Sequence, residues 1–250
     1  MAKYGGWVVT KFLTLLNMTQ EIILLAGTAT ALGFIHTLFG PDHYLPFIVM
    51  AKARKWTMVK TLWITALCGL GHVGSTIILG IIGISSGLLL SKIEFIDGYR
   101  GSIAAWAFIA FGLIYMIWGI YRAIKNKPHK HIHFHANGKR HTHLHKHEQK
   151  HAHTHDKNIT PWVLFTIFVF GPCEPLIPLL MFPAIENSLS GLIFVISVFS
   201  VITIGTMITI VVIASYGINL IPLGKIEKYT HAIAGFVILL SGIAIEFLGL

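Results

Sequence analysis

Residues 39–46 read Phe-Gly-Pro-Asp-His-Tyr-Leu-Pro and residues 170–178 read Phe-Gly-Pro-Cys-Glu-Pro-Leu-Ile-Pro, each inside a long apolar run. Proline lacks the N–H that a helix requires, and its ring displaces the carbonyl four residues earlier. Pro41 is therefore expected to release the carbonyl of Thr37, and Pro172 that of Phe168. A polar pair follows each break at once, Asp42-His43 in the first and Cys173-Glu174 in the second. A second correspondence lies downstream, "LGHVGST" at 70–76 against "IGTMITI" at 204–210. The chain thus reads as one unit used twice, each copy containing an interrupted helix.

The surroundings of these stretches place them in a bilayer. Hydrophobic residues make up 54% of the 250 and charged residues only 12%, with a mean hydropathy of +0.72. Such a chain falls in the membrane class. Crossing a hydrocarbon core of about 30 Å takes about 20 helical residues. Six stretches meet that length, at 22–48, 61–84, 102–121, 161–184, 191–214 and 230–249. They lack the period-two alternation of barrel strands, and backbone groups in lipid must be satisfied internally, so an all-α fold is expected. Three crossings in each half would set the halves in opposite orientations. The expectation is a polytopic protein of two inverted three-helix repeats, with helices 1 and 4 broken.

The chain divides accordingly into an N-terminal segment 1–20, a first repeat 21–122, a connecting segment 123–160 and a second repeat 161–250. Trp7 to Leu16, with Lys11 among aromatic and leucine residues, is expected to lie at the membrane interface rather than to form a cleaved leader. Cys68 and Cys173 both fall in apolar stretches without a Cys-x-x-Cys spacing, so neither a disulfide framework nor a zinc ribbon is indicated.

Orientation follows from the basic residues between the helices, which accumulate on the cytoplasmic side. Fifteen of the nineteen fall on the side of segment 123–160, and only Lys3, Lys11, Lys92 and Arg100 on the other. That segment is expected to be cytoplasmic in a plasma or inner membrane, with both termini outside. The net charge of +9 is mostly topology. It does not indicate a nucleic-acid partner, which would need a basic face on a folded soluble domain.

Segment 123–160 carries eleven histidines, mostly at alternate positions: His129, His131, His133, His135, His141, His143, His145, His147, His151, His153 and His155. With Ile132, Phe134 and Leu144 as almost its only apolar residues it cannot bury a core, and disorder is expected. Dense imidazoles offer many exchangeable sites for nickel, cobalt, zinc or copper, so a metal-buffering role is expected.

Within the apolar stretches the candidate ligands are His36, Asp42, His43 and His72, joined by Cys173 and Glu174. His36 and His43 lie seven residues apart, two helical turns, and would share a face of a continuous helix. His72 stands one turn after Cys68, among Gly69, Gly71 and Gly74, which let another helix approach closely. Carboxylates are costly at the bilayer centre, which makes Asp42 and Glu174 functional candidates. Histidine nitrogens with a carboxylate oxygen suit a divalent transition metal. Glu174 is open to coordination, to carrying a proton or to balancing charge.

At these residues the chain resembles the nickel-cobalt transporter superfamily, through "HTLFGPDH" at 36–43 and "GLGHVGST" at 69–76. In that superfamily a histidine and an Asp-His pair share one membrane helix, and a Gly-His motif lies on the next. The resemblance implies metal roles for His36, Asp42, His43 and His72. Five residues separate His36 from Asp42 where the uptake branch has four. The histidine-rich connection looks more like the efflux branch. The implied function is outward transport of Ni2+ or Co2+, with Zn2+ as a further fit, and with neither prosthetic group nor enzymatic chemistry. Partners reduce to the metal ion and the bilayer, oligomeric state being left open. A second resemblance leads elsewhere: "FGPCEPLIPLL" at 170–180 looks like the proline-flanked cysteine motif of membrane thiol-disulfide carriers related to cytochrome c biogenesis and DsbD. Those carriers need a cysteine in each half, where this chain has Asp42 or His43. An accessory role in delivering nickel to an enzyme is a third alternative.

Overall fold

The computed structural model describes residues 21, 23–125, 129–134, 140–145, 159–185, 189–220 and 224–249. Segment 1–20 lies outside them, and with it the interfacial reading of Trp7 to Leu16. The elements in order are α1 (Ile23–Phe39), a 3₁₀ turn (Pro41–His43), α2 (Leu45–Arg54), α3 (Met58–Ser85), α4 (Leu90–Lys125), β1 (His129–Phe134), β2 (Arg140–His145), α5 (Thr160–Phe170), α6 (Leu176–Ile185), α7 (Leu189–Leu220), a second 3₁₀ turn (Gly224–Tyr229) and α8 (Thr230–Leu248).

Four helices are long and apolar enough to cross a membrane, and the pair formed by α1 and Pro41–Arg54 makes a fifth if counted as one span bent by 83°. The protein is a polytopic membrane protein, helical throughout its apolar part. The stretch expected at 161–184 is not one continuous helix. It is divided into α5 and α6 around Gly171 to Pro175. The expectation for 102–121 was too short at its start, because α4 begins at Leu90 and includes Asp97 and Arg100.

Burial is inverted relative to a water-soluble domain. Large apolar side chains face outward from the long helices, among them Trp63 and Leu70 on α3, Ile114 on α4 and Val201 on α7. Polar groups are held inside, including Thr37, His43, Thr65, His72, Thr76 and Asp97. This is the distribution lipid requires. Two apolar clusters fill the interior. One joins Phe47 and Met50 of α2 to Cys68, Phe108, Leu164, Phe168, Met207 and Ile238. The other joins Ala29 and Val73 to Cys173, Leu176, Leu180, Val195 and Phe199.

Helices α4 and α8 form the most extensive pairing. A Cβ on Gly112 would strike the backbone of Gly235 and Leu239, and one on Gly235 the backbone of Met116. Small residues allow backbones to approach this closely where lipid gives no hydrophobic drive to association.

Two stretches of the histidine-rich segment, 129–134 and 140–145, are described. β1 and β2 pair antiparallel in the register His129 to His145, His131 to His143 and His133 to His141. Composition shows that the segment lacks a core. It does not show that histidines alternating with Ile132, Phe134, Thr142 and Leu144 carry the period of a strand. His135, His147, His151, His153 and His155 lie outside the described residues.

Gly235→Leu should force α4 and α8 apart and cost about 1–3 kcal/mol or more. Gly98→Leu, at a position with no atom within 4 Å of an added Cβ, should be tolerated. Thermal unfolding of the purified protein in detergent checks the contrast.

Candidate functional site

Each Phe-Gly-Pro ends a helix and turns the chain so that a histidine ring seats against its glycine. In the first break Gly40 N–H still donates to the His36 carbonyl at 2.9 Å, and His43 N–H donates to the Gly40 carbonyl at 3.0 Å. A Cβ on Gly40 would stand 2.5 Å from His43 Nδ1. In the second break Gly171 N–H is shared between the carbonyls of Ile167 and Phe168, at 2.9 and 3.1 Å. A Cβ on Gly171 would stand 3.2 Å from His72 Nδ1. A side chain at Gly40 would collide with the His43 ring, and one at Gly171 would press on the His72 ring.

The rings converge. His43 Nδ1 lies 3.0 Å from the Gly40 carbonyl and 3.2 Å from Asp42 Oδ1. His72 Nδ1 and the Phe168 carbonyl, which accepts from Gly171 N–H at 3.1 Å, both border Gly171. The acceptors at His43 Nδ1 place its proton there. His43 Nε2 is then left with its lone pair, and it stands 3.3 Å from His72 Nε2. His36 joins from α1, its ring stacked on that of His72 at 6.1 Å between centroids and edge-on to that of His43 at 4.7 Å. His36 Nε2 is buried without a hydrogen-bond partner. Ligand atoms of His36, His72 and Cys173 lie within 4.8 Å of one another. His36 and His43 thus meet across a bend rather than along one helical face.

Of the candidates named from sequence, the fold brings together His36, His43, His72 and Cys173. Asp42 sits beside them, its Oδ1 hydrogen-bonded to His43 Nδ1. Glu174 follows Cys173 directly and is exposed. Cys68 shares a helix with His72 but packs in the other apolar cluster, among Phe47, Phe168 and Met207.

Sequence inspection missed a second group, which holds the broken helix in place. Arg100 was counted with the basic residues between helices. In the structure it lies within α4, its Nη1 2.6 Å from Oδ1 of the fully buried Asp97. Its Nη2 donates to Ser75 Oγ at 2.8 Å and to the Val169 and Gly171 carbonyls at 3.1 and 3.4 Å. Ser75 Oγ in turn donates to the His72 carbonyl at 2.9 Å. Asp97 interacts with the backbone N–H of Cys173. One ion pair thus serves carbonyls before the break and an amide after it, and reaches the backbone of a site histidine. The available signal was an Asp and an Arg three residues apart beside an apolar run, a spacing that pairs them on one helical face.

Fold and site define a polytopic membrane protein whose two interrupted segments enclose three histidines and a cysteine. The chain belongs to the family described as the cytochrome c biogenesis protein transmembrane region, matched over residues 45–244. That is the kinship suggested by the cysteine-bearing break, not the nickel-cobalt superfamily suggested by the first break. His36, Asp42 and His43 precede the matched residues. No curated protein and no solved structure matches the chain.

Removing one partner of a buried ion pair costs about 3–5 kcal/mol, because the other charge is stranded. Arg100→Gln should lower thermal stability by that order, whereas Asp97→Asn with Arg100→Gln should cost less than the two single changes added. A double-mutant cycle on unfolding midpoints measures it.

Proposed function

We propose that this family member binds and carries a divalent transition-metal ion, Ni2+ or Co2+ with Zn2+ as a further fit, through the cluster of His36, His43, His72 and Cys173. The observation that carries the reading is the 3.3 Å separation of His43 Nε2 and His72 Nε2. Two nitrogens bound to one tetrahedral ion at about 2.0–2.1 Å stand about 3.4 Å apart. Without a metal, His72 Nε2–H can donate to the His43 Nε2 lone pair. A cation in place of that proton would be bound by both nitrogens, and the buried Nε2 of His36 would gain a partner as well. Three imidazoles and a thiolate make a borderline-soft donor set of the kind these metals prefer.

The residues that hold the rings supply the rest of the chemistry. The Gly40 carbonyl fixes the tautomer of His43, and Asp42 adds negative charge beside the site. Protons compete for the same donors, so binding and release are coupled to protonation of the ligands. The two breaks support the reading of two inverted repeats, in which interrupted helices meet at a central ion site. Arg100, held inside α4, leaves Lys3, Lys11 and Lys92 as the basic residues of the minority side, which supports segment 123–160 as cytoplasmic and both termini as external.

A second reading, passage of reducing equivalents, is favoured by the family match and by the position of Cys173 directly after the break. Each turnover would oxidise two thiols to a disulfide while a partner disulfide takes up two electrons and two protons. That needs two cysteines in reach of each other. The two present, Cys68 and Cys173, lie in different packing clusters and are free.

Co2+ added to the purified protein should produce a near-ultraviolet thiolate-to-metal absorbance that Cys173→Ser removes and Cys68→Ser leaves intact. In sided proteoliposomes His36→Ala, His43→Ala and His72→Ala should each slow metal flux by at least about tenfold, ligand loss being no milder than loss of a residue that orients a ligand. Full metal flux in all three histidine variants, with Cys173-dependent reduction of a thiol partner on the outer face, would replace this reading with the redox carrier.

A further inference from the structure

The basic end of the bundle holds a cavity that shares no residue with the histidine cluster. Its volume is about 980 Å³, and it lies between the ends of α2, α4 and α7 and the beginnings of α3 and α8. Ligand pockets commonly occupy about 300–1,000 Å³. Lys52, Lys55, Arg122 and Lys228 line it against a single carboxylate, Glu227.

Charge balance is the unusual feature. Among the described residues the ion pairs are Asp42 with His43 and Asp97 with Arg100, both elsewhere, so no carboxylate is paired with Lys55, Arg122 or Lys228. Aromatic faces support two of these cations instead: Arg122 lies 5.3 Å from the centre of the Trp118 ring, and Lys228 lies 4.7 Å from that of Tyr229. Behind the cavity a further guanidinium, that of Arg54, rests over Tyr115 at 5.4 Å and Trp118 at 5.7 Å. Cations gathered at the mouth of one cavity repel one another and raise the local positive potential, and a bound anion relieves both effects.

The remaining lining narrows the choice of anion. Ile48, Trp56, Met58 and Ile218 place apolar surface beside the cations. A bare inorganic ion would leave that surface and most of the volume unused, whereas a phosphate ester with an attached organic group contacts both. Basic pockets between membrane helices are suited to such groups, and guanidinium and ammonium are their ordinary partners. We infer that this cavity is a binding site for a phosphate-bearing anion, supplied either as the headgroup of an anionic phospholipid or as a soluble phosphate compound.

The test uses the full chain in nanodiscs, with thermal unfolding followed by tryptophan fluorescence. Phosphatidylglycerol added to phosphatidylcholine discs should raise the Tm of the wild-type protein by several degrees, since a ligand that binds only the folded state stabilises it. Lys55→Gln with Lys228→Gln should lose most of that rise. Lys60→Gln with Lys125→Gln, which removes the same charge from the same end but outside the cavity, should keep it. Each variant is compared with itself in pure phosphatidylcholine, so an intrinsic stability change does not enter. A rise with inorganic phosphate in pure phosphatidylcholine discs, again dependent on Lys55 and Lys228, assigns a soluble source. A response to the lipid alone assigns the headgroup. Equal behaviour of the two double variants, whether the rise is kept or lost, overturns the site, as does a wild-type protein that responds to neither probe.

Discussion

A carbonyl released by proline inside a bilayer has to find its donor within the protein, because lipid offers none. Most of the interior organisation follows from meeting that demand at residues 168 to 171. The Phe168 carbonyl accepts from Gly171 N–H within the turn, and Arg100 takes those of Val169 and Gly171. The Arg100 contacts bring α4, with Asp97 and Gly101, against Pro172, where a Cβ on Gly101 would meet Pro172 Cγ at 2.7 Å. Backbone satisfaction and site construction are therefore one arrangement, and a change in either disturbs both.

The first break is answered locally instead. His43 bonds back to Gly40 and Asp42, one to three residues away, and the Tyr44 hydroxyl donates to the Leu38 carbonyl at 3.2 Å. The two halves thus solve the same problem by different means, one within its own turn and one with groups from α3 and α4. The difference matters chemically. The self-contained turn fixes the His43 ring beside Gly40. The braced turn leaves Cys173 N–H and Sγ near Asp97, His36 and His72. Nitrogen donors and one sulfur are thereby brought together in this member of the family.

Composition and periodicity made the membrane class, the helical state and both breaks legible. Each depends on local properties: apolar length, absence of alternation, and a proline without its N–H. The same local reasoning misjudged one place. It began the third crossing at 102, because Asp97 and Arg100 look like exposed loop charges until they are seen to neutralise each other inside α4.

The residue types of the site were determined by the sequence: His36, His43, His72 and Cys173 were all identifiable as donors in costly surroundings. Which of them meet was decided only by the tertiary structure. An 83° bend brings His36 and His43 together from opposite sides of a proline. The packing of α3 against α5 then sets His72 at 3.3 Å from His43. Donor chemistry belongs to single side chains and can be read one letter at a time. The distance between donors depends on how released backbone groups are satisfied by residues far away in the chain, and that is settled only when the whole interior is packed.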